Sequence, residues 1–348
     1  MRYLFYMGHP AHFHLFKNII LNLKDKGHEV RLLIKKKDIL EELLQRMGWE
    51  YTNINPKGRA DNKISIAWNL LKRDLEMFRI ARRFKPNAMM GTSAEISHTG
   101  TLLGIPSIVF DEDDADAIPL FSKLAHPLAT RILAPRCTRM GKWEKKKSGY
   151  EGYHELAYLH PDYFTPDASV ISELKPEEKY FVIRFSRLGA HHDSGVTGIS
   201  DELALKICEI LRPHGRIFIS SERDLGPALE PYRIKLNPLS IHHVLYYAQL
   251  VICDSQTMSA EAGVLGTPFI RYNDFVDRLS YLEELEKTYG LGFGIKPPND
   301  EQLLNKVSEL ASAEGMKEEW QKRRNKMLAE KIDLVQFATQ VILETSKK

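Results

Sequence analysis

Cysteine is scarce: Cys137, Cys208 and Cys253 are the only three in 348 residues, and no two share a paired spacing. That excludes a disulfide framework and leaves none of the CxxC pairs of zinc or thiol-redox motifs. No apolar run approaches the ~20 residues that a membrane-spanning helix needs. The 21 glycines and 17 prolines form no dominant tract, so collagen-like and disordered readings fail. Charge of one sign is not in excess either. Lys+Arg 49 against Asp+Glu 46 leaves +3, which makes no case for a nucleic-acid partner. The opening MRYLFYMGHPAHF lacks a basic start, a long apolar core and a small-residue cleavage site, and reads as a buried strand rather than a leader. What is left is an ordinary composition, 43% hydrophobic and 27% charged, with a length that suits two domains. A reducing cytoplasm is the expected location.

Short β-rich apolar runs alternate with amphipathic stretches, the pattern of doubly wound parallel sheets. In the first half, strands are expected at 3–7, 29–34, 51–54, 88–91, 107–111 and 131–134. Helices are expected between them at 12–26, 39–47, 65–84, 97–103 and 119–126. In the first of these helices Phe13, Phe16, Ile19, Ile20 and Leu23 recur at helical spacing, and Gly27 stops it. A turn-rich aromatic stretch at 161–166 suits a linker. A second series follows, with strands at 180–185, 216–220, 250–253 and 268–272 and helices at 201–211, 242–248 and 258–265. Polar helices fill 300–344. Two Rossmann-like α/β domains, 1–163 and 164–348, are the expected architecture, with one course open to the last helices being to cross back to the first domain. Ligands of such sheets bind beyond the carboxyl ends of the strands, so the loops there are where chemistry is sought.

The segment from Cys253 to Pro268 carries the most information. A strand ends at Asp254, and small and hydroxyl residues then open a helix whose first amides suit a phosphate. Glu261, one and a half turns on, is placed to accept hydrogen bonds from a ribose diol. A plain cap by Ser255 or Thr257 with a solvent-facing glutamate is the competing reading. Asp254-Ser255 followed by Glu261-Ala262-x-x-Leu265-Gly266-x-Pro268 resembles the nucleotide-sugar segment of the hydrolysing UDP-N-acetylglucosamine 2-epimerases. It is also similar to the glutamate-bearing helix of GT-B glycosyltransferases. The resemblance implies that Ser255 holds the diphosphate and Glu261 the ribose. Gln256 and Thr257 replace the glycine pair of the epimerases and narrow that pocket.

Gly8-His9-Pro10-Ala11-His12-Phe13-His14 with Gly27-His28-Glu29-Val30 resembles the opening of GT-B enzymes, in particular the N-acetylglucosaminyltransferase that completes the peptidoglycan lipid precursor. That match puts His12 at the acceptor side, where an imidazole suits proton removal from a hydroxyl. Capping and packing of the helix by these histidines is the alternative. End to end, the chain resembles the family known as domain of unknown function 354. Gly8-x-Pro10-x-His12 with Phe16-Lys17, Gly104-Ile105-Pro106 and the block from Gly152 to Pro161 carry that likeness.

Asp111 falls where the epimerases have a catalytic glutamate, whereas Thr92 or Ser93 replaces their aspartate and Ile118 and Pro119 stand where another glutamate belongs. The epimerase set is thus incomplete. The carboxylates at 111–116 and the cluster His9, His12 and His14 invite a metal reading, but an acidic cap and helix packing account for them, and no metal is expected. After the first strand of the second domain, Arg184 and Arg187 offer guanidinium forks for a leaving diphosphate. Ser220-Ser221-Glu222-Arg223 ends the next strand and is expected to line the same pocket, and residues 238–243 to border the base. Lys72, Arg73, Arg79, Arg82, Arg83 and Lys85 decorate one helix, with a second basic run at 142–147. Both read as solvated faces, with peripheral contact at the inner membrane face as the alternative.

The expectation is therefore a metal-independent GT-B glycosyltransferase of glycan or polysaccharide biosynthesis with no cofactor. Its substrates are a UDP-linked sugar and an acceptor open to lipid linkage. His12 and Asp111 are the catalytic candidates; Arg184, Arg187, Ser220, Ser255, Gln256, Thr257 and Glu261 are the donor-binding ones. A UDP-sugar 2-epimerase or hydrolase and a non-catalytic sugar-nucleotide or glycan binding protein are the alternatives.

Overall fold

The first strand, β1 (Arg2–Met7), is buried almost throughout, as a central strand covered by helices on both faces must be. The chain then turns through His9, whose Nδ1 accepts the Ala11 amide, and Pro10 opens the helix Pro10–Asp25. Proline costs nothing there because the first-turn amides have no intrahelical acceptor. Phe13, Phe16, Ile19, Ile20 and Leu23 form the helix's buried face. These facts come from a computed structural model that describes residues 1–36, 39–55, 63–186, 198–235 and 237–347.

The remaining strands of the first sheet are β2 (Glu29–Lys35), β3 (Thr52–Asn55), β4 (Ala88–Gly91), β5 (Ser107–Phe110), β6 (Arg131–Pro135) and β7 (Lys147–Tyr150). They run in the order β3-β2-β1-β4-β5-β6-β7, every neighbouring pair parallel. Order reverses at β1/β4, where Tyr3 is in register with both Val30 and Ala88. The second sheet comprises β8 (Tyr180–Phe185), β9 (Arg216–Ser221), β10 (Leu250–Cys253), β11 (Phe269–Tyr272) and β12 (Gly292–Ile295), in the order β12-β11-β10-β8-β9, again all parallel. Its reversal lies at β8/β10.

The chain forms two units, Met1–Tyr158 with Ile332–Lys348, and Leu159–Lys331. The sequence draws its domain change at 163/164; here the units meet in the chain at 158/159. The closing helix, Leu334–Thr345, packs on Pro10–Asp25, and the Ile332 amide donates to the Glu151 carbonyl at 2.9 Å.

Among the described residues, ten of the twelve strands coincide with the apolar runs of the sequence. The edge strands β7 and β12 do not, because Lys147-Ser148-Gly149-Tyr150 and Gly292-Phe293-Gly294-Ile295 lack a β-branched run. Gly292 has a steric reason. A Cβ built on it would meet the fully buried Phe269 ring within 2.2–2.4 Å. Gly292→Ala is accordingly expected to lower the unfolding free energy by about 1–3 kcal/mol, the usual cost of overpacking. In urea denaturation the alanine should cost clearly less in the Phe269→Leu background, where the ring is gone.

Candidate functional site

In the second unit the order reversal leaves a crevice between the loops that follow β8 and β10. The carboxylate of Asp254, the residue after β10, spans it: Oδ1 accepts the backbone amide of Ser186, the residue after β8, at 2.6 Å. Asp254 is buried, and that burial pushes its pKa up to about 6, partly offset by hydrogen bonds from Ser186 and Ile199 and by the Arg184 charge. A cavity of about 250 Å³ opens here, lined by Ser186, Ile199, Ser200, Asp201, Arg223 and Asp254.

Ser255 caps the helix Gln256–Leu265, its hydroxyl accepting the Met258 amide at 3.3 Å. The capping reading therefore holds for Ser255, and Thr257 lies inside the first turn. The helix is buried from Met258 to Leu265 and ends at Gly266, whose φ of 72° suits only glycine without strain. Gln256 and Thr257 open the helix, and their amides lack intrahelical acceptors as first-turn amides must.

Glu261 does not face solvent. It is buried, and its Oε1 lies 3.0 Å from Nε2 of the equally buried His242. The solvent-facing alternative is thereby removed, and any ribose contact at Glu261 shares the carboxylate with His242. The segment around His242 stands out in the sequence as a border of the base. Its pairing with a glutamate 19 residues on has no sequence signal.

Arg184, at the end of β8, donates from Nη1 to Ser220 Oγ at 2.7 Å and from Nη2 to Glu222. The structure thus gathers Arg184, Ser220 and Glu222 beside Asp254 and so beside the capped helix. Glu222 already balances much of the guanidinium charge expected to meet a diphosphate. Arg184 Nε is buried and makes no hydrogen bond, a donor still to be satisfied. Arg187, with His191 and His192, lies outside the described residues.

In the first unit, His12 and Thr92 occupy the β1/β4 reversal. Thr92 Oγ1 sits 2.8 Å from His12 Nδ1 and 2.7 Å from Nε2, and Nδ1 also accepts the Gly8 amide at 3.1 Å. The Gly8 contact places the proton of a neutral ring on Nε2. A proton-accepting role for His12 would need that contact to open.

Asp111, the other catalytic candidate of the sequence, is held by a histidine other than His12. Its Oδ2 lies 2.8 Å from Nε2 of the fully buried His126, and burial raises the Asp111 pKa against that hydrogen bond. His126 is the partner that sequence reasoning missed. In the rest of the acidic loop, Glu112 lies 3.3 Å from His154, and Asp114 accepts the Arg139 amide at 2.7 Å. Among the described residues no three His, Cys, Asp or Glu side chains are grouped to hold a metal ion.

The family described as "Protein of unknown function (DUF354)" matches residues 5–280. The chain belongs to that family. No curated protein matches this DUF354 chain. Solved structures do, over nearly its whole length. A candidate UDP-N-acetylglucosamine 2-epimerase from Listeria monocytogenes is 12% identical with a TM-score of 0.71, covering 99% of this chain and 95% of its own. The UDP-GlcNAc 2-epimerase of Neisseria meningitidis, solved bound to UDP-GlcNAc, is 14% identical with a TM-score of 0.63, at 99% coverage of both chains. The spinosyn rhamnosyltransferase SpnG, solved with spinosyn aglycone and also with thymidine diphosphate, is 16% identical with a TM-score of 0.62, at 100% coverage of both. At such identities the likeness is one of fold. The DUF354 chain thus has the α/β fold of GT-B glycosyltransferases and 2-epimerases, as its sequence motifs imply.

The raised Asp254 pKa makes a signed prediction. The folded state holds this proton more tightly than the unfolded chain, so its stabilising contribution is complete below about pH 4. That contribution is lost as pH rises through about 6, a loss on the order of 3 kcal/mol. A carbon-13 NMR titration should find the Asp254 carboxyl titrating near pH 6. The stability difference between wild type and Asp254→Asn should move in favour of the variant over the same interval.

Proposed function

We propose that the protein is a glycosyltransferase-like enzyme whose donor is a nucleotide diphosphate sugar, UDP-linked, held by the second unit. The observation that carries this reading is the convergence at the β8/β10 reversal. An anion-ready helix N-terminus, a guanidinium with a buried unsatisfied Nε and a buried carboxylate one and a half turns along the helix lie on one edge of one sheet. The diphosphate is assigned to the amides of Gln256 and Thr257, the Ser255 hydroxyl and Arg184, and the ribose hydroxyls to Glu261. Ser220 and Glu222 hold the Arg184 side chain in place. Nucleotides of this class in the Neisseria epimerase and in SpnG support the assignment.

In transfer, the acceptor oxygen bonds to the anomeric carbon as the bond to the diphosphate oxygen breaks. The acceptor's proton passes to a base, and the negative charge collects on the leaving diphosphate, where fixed donors lower the barrier. His12 and Asp111 are the proposed acid–base groups. Both are engaged in this state, Asp111 by His126 and the Asp113 amide and His12 Nδ1 by the Gly8 amide, so either would have to exchange a partner to take the proton. The acceptor is proposed to belong to glycan or polysaccharide assembly.

Calorimetric titration with UDP and with thymidine diphosphate tests the donor assignment. Wild type should bind UDP, and Glu261→Gln should weaken binding by about tenfold or more, the value of a hydrogen bond to a charged group. No response to either nucleotide, or unchanged affinity in Glu261→Gln, contradicts the reading. Incubation with UDP-N-acetylglucosamine alone, followed by NMR, separates the enzymatic alternatives: free sugar and UDP without an acceptor would assign hydrolysis or epimerisation in place of transfer.

A further inference from the structure

Nine large hydrophobic side chains are exposed among the described residues, and six of them fall on one part of the first unit. Leu71 and Leu75 lie on the helix Lys63–Phe84, Leu102 on the helix Ala94–Leu103, and Leu120 and Leu124 on the helix Pro119–Ala125, with Leu128 just beyond it. Each is between 38% and 72% exposed. The spacings are helical: 71 and 75 are one turn apart, as are 120 and 124, so each pair projects from one face.

His98 binds the three helices together. Its Nδ1 lies 3.0 Å from Asp74 Oδ2 on the first helix, and its Nε2 lies 3.2 Å from the Leu124 carbonyl oxygen on the third. One turn beyond His98 on the same face is Leu102, and its neighbour Thr101 donates to the Leu128 carbonyl at 3.2 Å. The leucines are therefore gathered around a single seam. Monomeric surfaces rarely keep a contiguous apolar patch without a use.

Charge identifies the occupant. The same helices expose Lys72, Arg82, Arg83 and Lys123, with Arg79 beside Glu76. Their carboxylates are mostly neutralised: Asp74 pairs with His98, Glu95 is buried against Arg73, and Glu76 lies beside Arg79. A second copy of this face would set cation against cation. An anionic bilayer surface complements both features, receiving the leucines at the acyl boundary and the cations at the headgroups. Among the described residues no helix is long and apolar enough to cross a membrane, so the contact is with the surface.

We propose that the leucine-studded, basic face formed by these three helices of the first unit docks on anionic phospholipid membranes. The basic stretch of the first helix, which reads as a solvated face in the sequence, is then half of a lipid-binding surface.

Co-sedimentation of the full chain with vesicles, without nucleotide, tests this independently of the donor assignment. Phosphatidylcholine–phosphatidylglycerol vesicles should bind the protein at low salt, phosphatidylcholine vesicles much less, and added salt should weaken the binding. Leu120→Gln with Leu124→Gln should reduce partitioning by at least about tenfold, and Arg82→Gln with Arg83→Gln by a similar factor at low salt. Both double variants alter exposed side chains, and their thermal melting should match wild type. No binding to the anionic vesicles overturns the proposal, as does binding that the leucine changes leave intact. A concentration-dependent dimer that the leucine changes abolish would assign the face to self-association instead.

Discussion

The 2.6 Å hydrogen bond from the Ser186 amide to the Asp254 carboxylate ties the loop after β8 to the loop after β10. In a parallel sheet whose strand order reverses between those two strands, the connections leave in opposite directions, and the space between them must be bridged or filled with solvent. Here a buried carboxylate bridges it, and burial raises its pKa to about 6. Neighbouring groups follow from that tie. Ser255, the next residue, caps the helix Gln256–Leu265; Arg184, paired with Cys253 in register, brings its guanidinium to the same edge; Asn273 after β11 donates to the Asp254 carbonyl at 3.0 Å. One strand reversal thus collects a capped helix N-terminus, a guanidinium and a buried glutamate.

The first unit solves the same topological problem with different chemistry. Its β1/β4 reversal is spanned by an imidazole and a hydroxyl, His12 and Thr92, and its acidic loop after β5 is held by His126, His154 and Arg139. Carboxylate–histidine pairs recur: Asp111 with His126, Glu261 with His242, Asp74 with His98. Two of them are buried and lie at or near the carboxyl ends of strands. Each keeps a carboxylate inside the protein with a partner that satisfies one oxygen, the condition under which burial of such a group is tolerable.

Much of the architecture is legible in the sequence because buried parallel strands must be continuous apolar runs and their covering helices must be amphipathic. Helix Asp201–Leu211 is readable to the residue, since Ser200 caps it, Asp201 and Glu202 open it, and Leu203, Ile207 and Leu211 repeat on one face. The edge strands β7 and β12 escape, and Gly292 shows why for the second: it makes room for Phe269, which no local pattern encodes. The site is legible in its local parts and not in its long-range pairings. Ser255 reads as a cap, and Asp254 as a strand end. That His242 pairs with Glu261, or that His126 pairs with Asp111, depends on how separate elements pack and not on any local pattern. The exposure of Leu120 and Leu124 is likewise invisible, because a leucine at helical spacing is usually core.

In the proposed enzyme the crevice at the β8/β10 reversal receives a nucleotide diphosphate. Hydrogen–deuterium exchange of the full chain with and without UDP tests it at the level of single amides. Nucleotide-dependent protection is expected in the first turn of the helix Gln256–Leu265 and at the ends of β8 and β9. Protection confined to other elements, with these amides exchanging at the same rate in both states, would contradict it.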